Sequence, residues 1–200
     1  MTEGGSNHGG QFVTSLEAER ITDSARRAGA DLVGAQPSEI VFGQNMTSLT
    51  YAISRALART WDRGDNIVLS RLDHDANVTP WTQAAFDAGV DVRWIDFLPE
   101  RECTLDLDTL DAALDERTRL VAFSHASNAV GTITPVADIV ERAHRVGAMT
   151  YVDAVHYTPH GSVDVASTGT DFLVSSAYKW FGPHTGCLYG ASRHLGTIEA

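Results

Sequence analysis

Unbroken apolar runs alternate along this chain with segments whose apolar residues recur at helical spacing. Ile67-Val68-Leu69 and Val121-Ala122-Phe123 are continuous apolar triplets, the pattern of strands buried on both faces. Strand-like runs fall at residues 39–43, 66–70, 91–97, 119–124, 148–153, 171–175 and 186–190. Residues 47–61, 78–88, 107–116 and 136–146 carry helix-period patterns between them. A longer helix is predicted ahead of the first strand, over residues 14–35, with Thr14 and Glu17 spaced as a capping box. Residues 193–200 read as the start of a further helix.

This alternation predicts an α/β fold: a mostly parallel sheet with helices on both faces. Residues 1–11, rich in Gly, Ser and Asn, are expected to be a flexible N-terminal segment, and residues 12–200 one domain. Composition changes this little, since 43% hydrophobic and 20% charged residues are ordinary for a globular chain. The formal net charge of −11 argues against nucleic acid or an anionic membrane as partner. No apolar stretch is long enough to span a bilayer or resembles a signal peptide, and Cys103 and Cys187 show no paired spacing. A reducing cytoplasm is therefore the expected location.

In a sheet of this kind ligands bind beyond the carboxyl ends of the strands, and the polar residues that follow each apolar run stand out there. Lys179 lies just past the run 171–175, within Ser176-Ala177-Tyr178-Lys179-Trp180. An ammonium at a buried strand end is disfavoured, and burial would lower its pKa and make the amine a better nucleophile toward carbonyls. Asp153 ends the run 148–153. It either pairs with a pyridinium nitrogen or caps the following turn. An acid and a lysine on two strand ends are the handles needed to hold pyridoxal 5′-phosphate, PLP.

The other strand ends add to this pair. Asn45, Met46 and Thr47 open the helix after the first strand, where free N–H groups favour an anion, although Asn45 or Thr47 can equally be a plain cap. His74 can stack on a flat ring or be an exposed loop histidine. Asn128 can donate to a ring oxygen or make an Asx-turn. Ser175, Ser176 and Tyr178 are possible phosphate ligands. A hydrolase is disfavoured by the lack of a Gly-x-Ser-x-Gly elbow. No metal is expected, because the eight histidines include no His-Glu-x-x-His pattern.

The order Asn45-Met46-Thr47, His74-Asp75-Ala76-Asn77-Val78-Thr79-Pro80-Trp81, Ser127-Asn128-Ala129-Val130-Gly131, Val152-Asp153-Ala154-Val155-His156 and Ser176-Ala177-Tyr178-Lys179 resembles the class V aminotransferases. Within them it most resembles the cysteine desulfurase-like proteins. The resemblance implies the large domain of PLP fold type I, a three-layer α/β/α unit with a seven-stranded, mostly parallel sheet in which 186–190 is the antiparallel strand. It implies catalytic roles for Lys179, His74 and Asp153: Lys179 as the Schiff-base lysine, His74 on the ring and Asp153 on the pyridine nitrogen. Met46, Thr47, Ser176 and Tyr178 would hold phosphate, with Asn128 and His156 toward the ring oxygen and substrate.

By that resemblance the protein would act on a small amino acid, by C–S lysis or sulfur transfer, and would form a homodimer. A transaminase or epimerase is the alternative, as is an accessory PLP-binding domain without catalysis of its own. The usual small C-terminal domain, with its carboxylate-binding arginine and sulfur-accepting cysteine, has no counterpart here. A separate C-terminal half or a sulfur acceptor protein are the partners this implies. His156 and Tyr178 stand where the desulfurases usually carry glutamine and histidine.

Overall fold

A computed structural model describes residues 7–198. The long helix α1 spans Val13–Val33 and ends on Gly34, whose φ of 71° closes it in the left-handed region. After a 3-10 turn at Pro37–Glu39, β1 (Ile40–Gly43) leads into α2 (Met46–Ala58). Next come β2 (Asn66–Ser70), α3 (Thr79–Ala88) and β3 (Asp91–Ile95). A small hairpin, β4 (Phe97–Leu98) with β5 (Thr104–Leu105), precedes α4 (Leu107–Ala113). The remaining elements are β6 (Thr118–Ser124), α5 (Val136–Arg145), β7 (Met149–Asp153), α6 (Val165–Thr168), β8 (Phe172–Ser176), β9 (Gly186–Gly190) and α7 (Ser192–Leu195).

Seven of the strands form one sheet in the order β1-β9-β8-β7-β6-β2-β3. Only β9 runs against its neighbours; it pairs antiparallel with both β1 and β8, and the other ladders are parallel. The fold class and the antiparallel β9 thus agree with expectation. The apolar triplets explain the layering. Ile67 and Leu69 face a core shared with α2 and α3, while Val68 faces a second core shared with α1, α4 and α5. Successive side chains on a strand point to opposite faces, so an uninterrupted apolar run is what a sheet covered on both sides requires.

The observed elements correct some details. Thr14 and Glu17 do not form a capping box: α1 starts at Val13 with Phe12 as an uncapped N-cap, so Thr14 already lies inside the first turn. Glu17 instead pairs with Arg20. Residues 1–6 of the expected flexible segment lie outside the described residues. Residues 7–11 carry no helix or strand and are tied to α1, with Gly9 N–H donating to Glu19 and Gly10 N–H to the Ser15 hydroxyl. The β4–β5 hairpin follows from no sequence signal; its turn places Glu102 and Cys103 at φ 55°, a region that favours glycine. Cys103 lies in that turn, and Cys187 is buried in β9, where burial pushes its thiol up to about 11.

The start of α2 is seated on β9 by a close backbone approach. A Cβ at Gly186 would lie 2.4 Å from the Asn45 carbonyl carbon and 2.6 Å from its oxygen. Gly186→Ala is therefore expected to destabilise the fold by about 1–3 kcal/mol through overpacking against rigid backbone. Denaturant unfolding measures this, and a parent-like midpoint would contradict the close approach.

Candidate functional site

The carboxyl ends of β6, β7 and β8 and the start of α2 enclose a cavity of about 190 Å³. Its lining includes Met46, Thr47, His74, Ser124, Asn128, Asp153, His156, Tyr178 and Lys179. Of the site residues singled out from sequence, Asn45, Ser175 and Ser176 are not in that group; Ser176 is fully buried beneath it and accepts the Met46 N–H on its hydroxyl at 3.0 Å.

Asp153 closes β7 and is 6% exposed. One carboxylate oxygen accepts the Val155 N–H at 2.9 Å, so the residue does cap the turn that follows. Burial pushes its carboxyl up to about 6, opposed by that N–H and by His74 and Lys179 nearby. The second oxygen has no protein donor among the described residues.

Lys179 corrects the expectation of a buried amine. It sits in the 3-10 helix Ala177–Trp180 that follows β8, and that turn carries it out of the sheet to an exposed position. Its Nζ lies 6.0 Å from the Tyr178 ring centroid. Burial therefore does not distinguish this lysine; its place in the same cavity as Asp153 does. Tyr178 in turn stacks on His184, with ring centroids 4.6 Å apart.

Ser175 is also corrected. Its hydroxyl accepts the Trp180 indole N–H at 3.0 Å, on the sheet face opposite Ser176, because strand side chains alternate. The cap of α2 is Asn45, which takes the Ser48 N–H at 2.9 Å; Thr47 is not the cap. With the Met46 N–H on Ser176, the Thr47 N–H is the first-turn donor left without a protein acceptor among the described residues. The Asx-turn alternative at Asn128 does not form, because the Ser127 hydroxyl takes the Ala129 and Val130 N–H groups instead. His74 is exposed and lines the cavity, and its Nδ1 accepts the Ala76 N–H at 3.0 Å, which leaves Nε2 as the protonated nitrogen of the neutral ring. His156 faces His160 edge-on, with centroids 5.7 Å apart.

Two residues escaped the sequence reading. Ser124 ends β6 in register with Asp153, and its buried hydroxyl has no partner among the described residues. Asp73 sits beside His74 and accepts the Ser124 N–H at 2.6 Å. Desolvation pushes the Asp73 carboxyl up to about 8, with the Asp153 charge adding to it. The available signal was a polar residue closing a buried strand in one case and an acid directly before the histidine in the other. Among the described residues no group of three His, Cys, Asp or Glu is placed to hold a metal, and no helix is long and apolar enough to cross a membrane.

The sequence matches the family described as Aminotransferase class-V over residues 2–200. The chain belongs to the class V aminotransferases. A probable cysteine desulfurase of Mycobacterium leprae is 38% identical over 202 residues, covering 98% of this chain and 47% of that protein. An aminotransferase-like protein of Gibberella zeae is 35% identical over 184 residues, covering 92% and 45%. The apo structure of a cysteine desulfurase from Thermococcus onnurineus superposes with a TM-score of 0.90 at 31% identity, over 97% of this chain and 48% of that one. This class V chain thus spans about half the length of these relatives.

Class V aminotransferases are PLP-dependent, and the residues present fit that cofactor. The orphaned Ser124 hydroxyl, the unoccupied acceptor on Asp153 and the open Thr47 N–H are polar groups aimed at one cavity with no protein partner among the described residues to satisfy them.

The raised carboxyls make stability depend on pH. Asp153 has an ordinary value of 3.8 and about 6 in the fold, so its protonated form favours folding. That contribution is complete below the ordinary value and is lost as pH rises through about 6, and the Asp73 contribution is lost through about 8. Asp153→Asn removes the first ionisation and keeps an acceptor for Val155. It is expected to stabilise the cofactor-free protein at pH 8 by about 1–3 kcal/mol and to flatten its stability between pH 4 and 6. Thermal unfolding across pH measures both, and an unchanged profile would refute the buried ionisation.

Proposed function

We propose that this chain binds PLP through Lys179 and forms the cofactor-holding part of an enzyme acting on a small amino acid, with cysteine and C–S lysis as the leading reading. The observation that carries it is the meeting of Asp153, His74 and Lys179 in one cavity at the ends of the sheet's strands. PLP, when bound, supplies an electron sink for charge developing on the substrate α-carbon.

The protein groups divide the rest of the work. Asp153 offers its unoccupied oxygen to a ring N–H and holds it protonated by charge. His74 presents a flat imidazole face to one side of the ring. Lys179 supplies the amine that holds the cofactor covalently and, once released, carries a proton to and from the substrate carbon. Asn128 has an amide with no protein partner among the described residues, suited to a ring oxygen, and His156 stands on the substrate side. Thr47, the Met46 N–H, Ser176 and Tyr178 form the phosphate end; Ser176 serves it by turning its hydroxyl from Met46.

The half-length match favours a second reading, an accessory PLP-binding domain without turnover of its own. In the leading reading residues 12–200 are the large domain. The grip on the substrate carboxylate and the sulfur-accepting thiol then come from a further segment or a separate C-terminal half, with a homodimer as the assembly and a sulfur acceptor protein as a further partner. Transamination or epimerisation on the same site is the remaining chemistry, and the cytoplasm the proposed location.

Purified protein mixed with PLP is expected to develop a visible absorption band that borohydride fixes to the chain. Lys179→Ala should lose the fixation and bind PLP at least about tenfold more weakly. No band, or fixation indifferent to that change, sinks the assignment. Adding L-cysteine should alter the band; a response to L-alanine alone points to transamination, and silence to both supports the accessory reading.

A further inference from the structure

A flat ring that turns its face to one wall of this cavity and its nitrogen edge to another needs those two walls at a fixed spacing. One wall is His74, on the loop after β2; the other is Asp153, at the end of β7, with β6 lying between those strands. The residue that joins the two walls is Asp73. One of its carboxylate oxygens accepts the N–H of Ser124, the last residue of β6, at 2.6 Å. Ser124 stands opposite Asp153 in the β6–β7 ladder, and the N–H of the next residue, His125, donates to the Asp153 carbonyl at 2.8 Å. The other Asp73 oxygen accepts the Asn77 side-chain amide at 2.9 Å. The Asn77 oxygen in turn accepts the Trp81 indole N–H at 3.0 Å. Trp81 is fully buried in α3, so the far end of this strap is anchored in the core.

We propose that Asp73 is a positioning residue that sets the gap between His74 and Asp153. It clamps the loop bearing His74 onto the strand end that fixes Asp153. That the gap receives PLP rests on the function proposed above; the strap itself does not.

The strap has a direction. An indole N–H only donates, so Asn77 turns its oxygen to Trp81 and its NH₂ to residue 73, where the carboxylate, ionised above about 8, accepts on both sides. Asp73→Asn sets one NH₂ against another. Exchanging the pair, Asp73→Asn with Asn77→Asp, restores all three bonds. The indole and the amide introduced at position 73 both donate to the carboxylate introduced at position 77, and the amide oxygen at position 73 accepts from Ser124.

The test uses the parent, D73N and D73N/N77D at pH 9, where Asp73 is ionised, read by PLP titration of the apo protein and by amide hydrogen exchange at Ser124 without PLP. D73N is expected to bind PLP about tenfold more weakly and to exchange Ser124 about tenfold faster, while residues 120–123 keep their protection. The exchanged pair should return within about threefold of the parent on both. A parent-like D73N overturns the proposal, as does an exchanged pair as impaired as D73N. If D73N does not fold, the exchanged pair decides alone: parent-like binding and protection support the strap, and loss of either overturns it. A parent that fails to bind PLP removes the cofactor reading, while Ser124 exchange still decides the strap.

Discussion

A carboxylate at the end of the central strand of a sheet covered on both faces is the constraint around which this site is arranged. β7 is the fourth of seven strands, and Val152, just before Asp153, is fully inaccessible. At 6% exposure Asp153 has little contact with the solvent that an ionised carboxylate needs, and one backbone N–H is all that the described residues bond to its side chain. A lone buried anion is strongly disfavoured, so the surroundings must bring cationic character to it or leave it protonated. Lys179 supplies part of that, from the turn after β8. A protonated ring nitrogen would supply the rest. The same shortage of partners that makes Asp153 unfavourable in isolation thus makes it selective for a cationic heterocycle.

Much of this was legible in the residue order. Ile67-Val68-Leu69 and Val121-Ala122-Phe123 read as strands buried on both sides, and strand ends in such sheets collect ligands, so His74, Asn128, Asp153 and Lys179 could be gathered from the sequence. Other features depended on local geometry that spacing does not encode. Lys179 was expected to be buried because it follows β8, but a 3-10 turn intervenes and swings it outward. Ser175 and Ser176 are indistinguishable on paper; pleating sends one to Trp180 and the other to Met46. Asp73 and Ser124 matter through a bond between residues distant in sequence, and their local signals, an acid before a histidine and a polar strand end, do not show that the two meet. The β4–β5 hairpin, with non-glycine residues in the left-handed region, contradicts turn chemistry and was invisible for that reason.

The described residues build the floor and walls of the cavity and leave its mouth open. Lys179 and Tyr178 are exposed, and Phe181, beside them in sequence, is wholly exposed at φ 67°. Charge-stabilising groups gain strength when water is kept out. That agrees with a chain spanning about half of its relatives' length: the cofactor's handles are here, and the cover over the mouth is not among the residues described.

The pairing of β1 with β9 has a consequence for how the molecule comes into being. Ile40 lies against Tyr189 and Gly43 against Gly186, so a strand from the first quarter of the chain is completed by one near residue 190. The start of α2, with the Met46 and Thr47 N–H groups, rests on Gly186 of that late strand. Contacts this distant along the chain close slowly, because loop entropy is lost before the pairing rewards it. During synthesis β2, β3 and β6 can already pair while β1 waits as an unmatched edge. The phosphate end of the cavity is therefore the last part of the site to take shape, and a cofactor arriving early would meet an unfinished cradle.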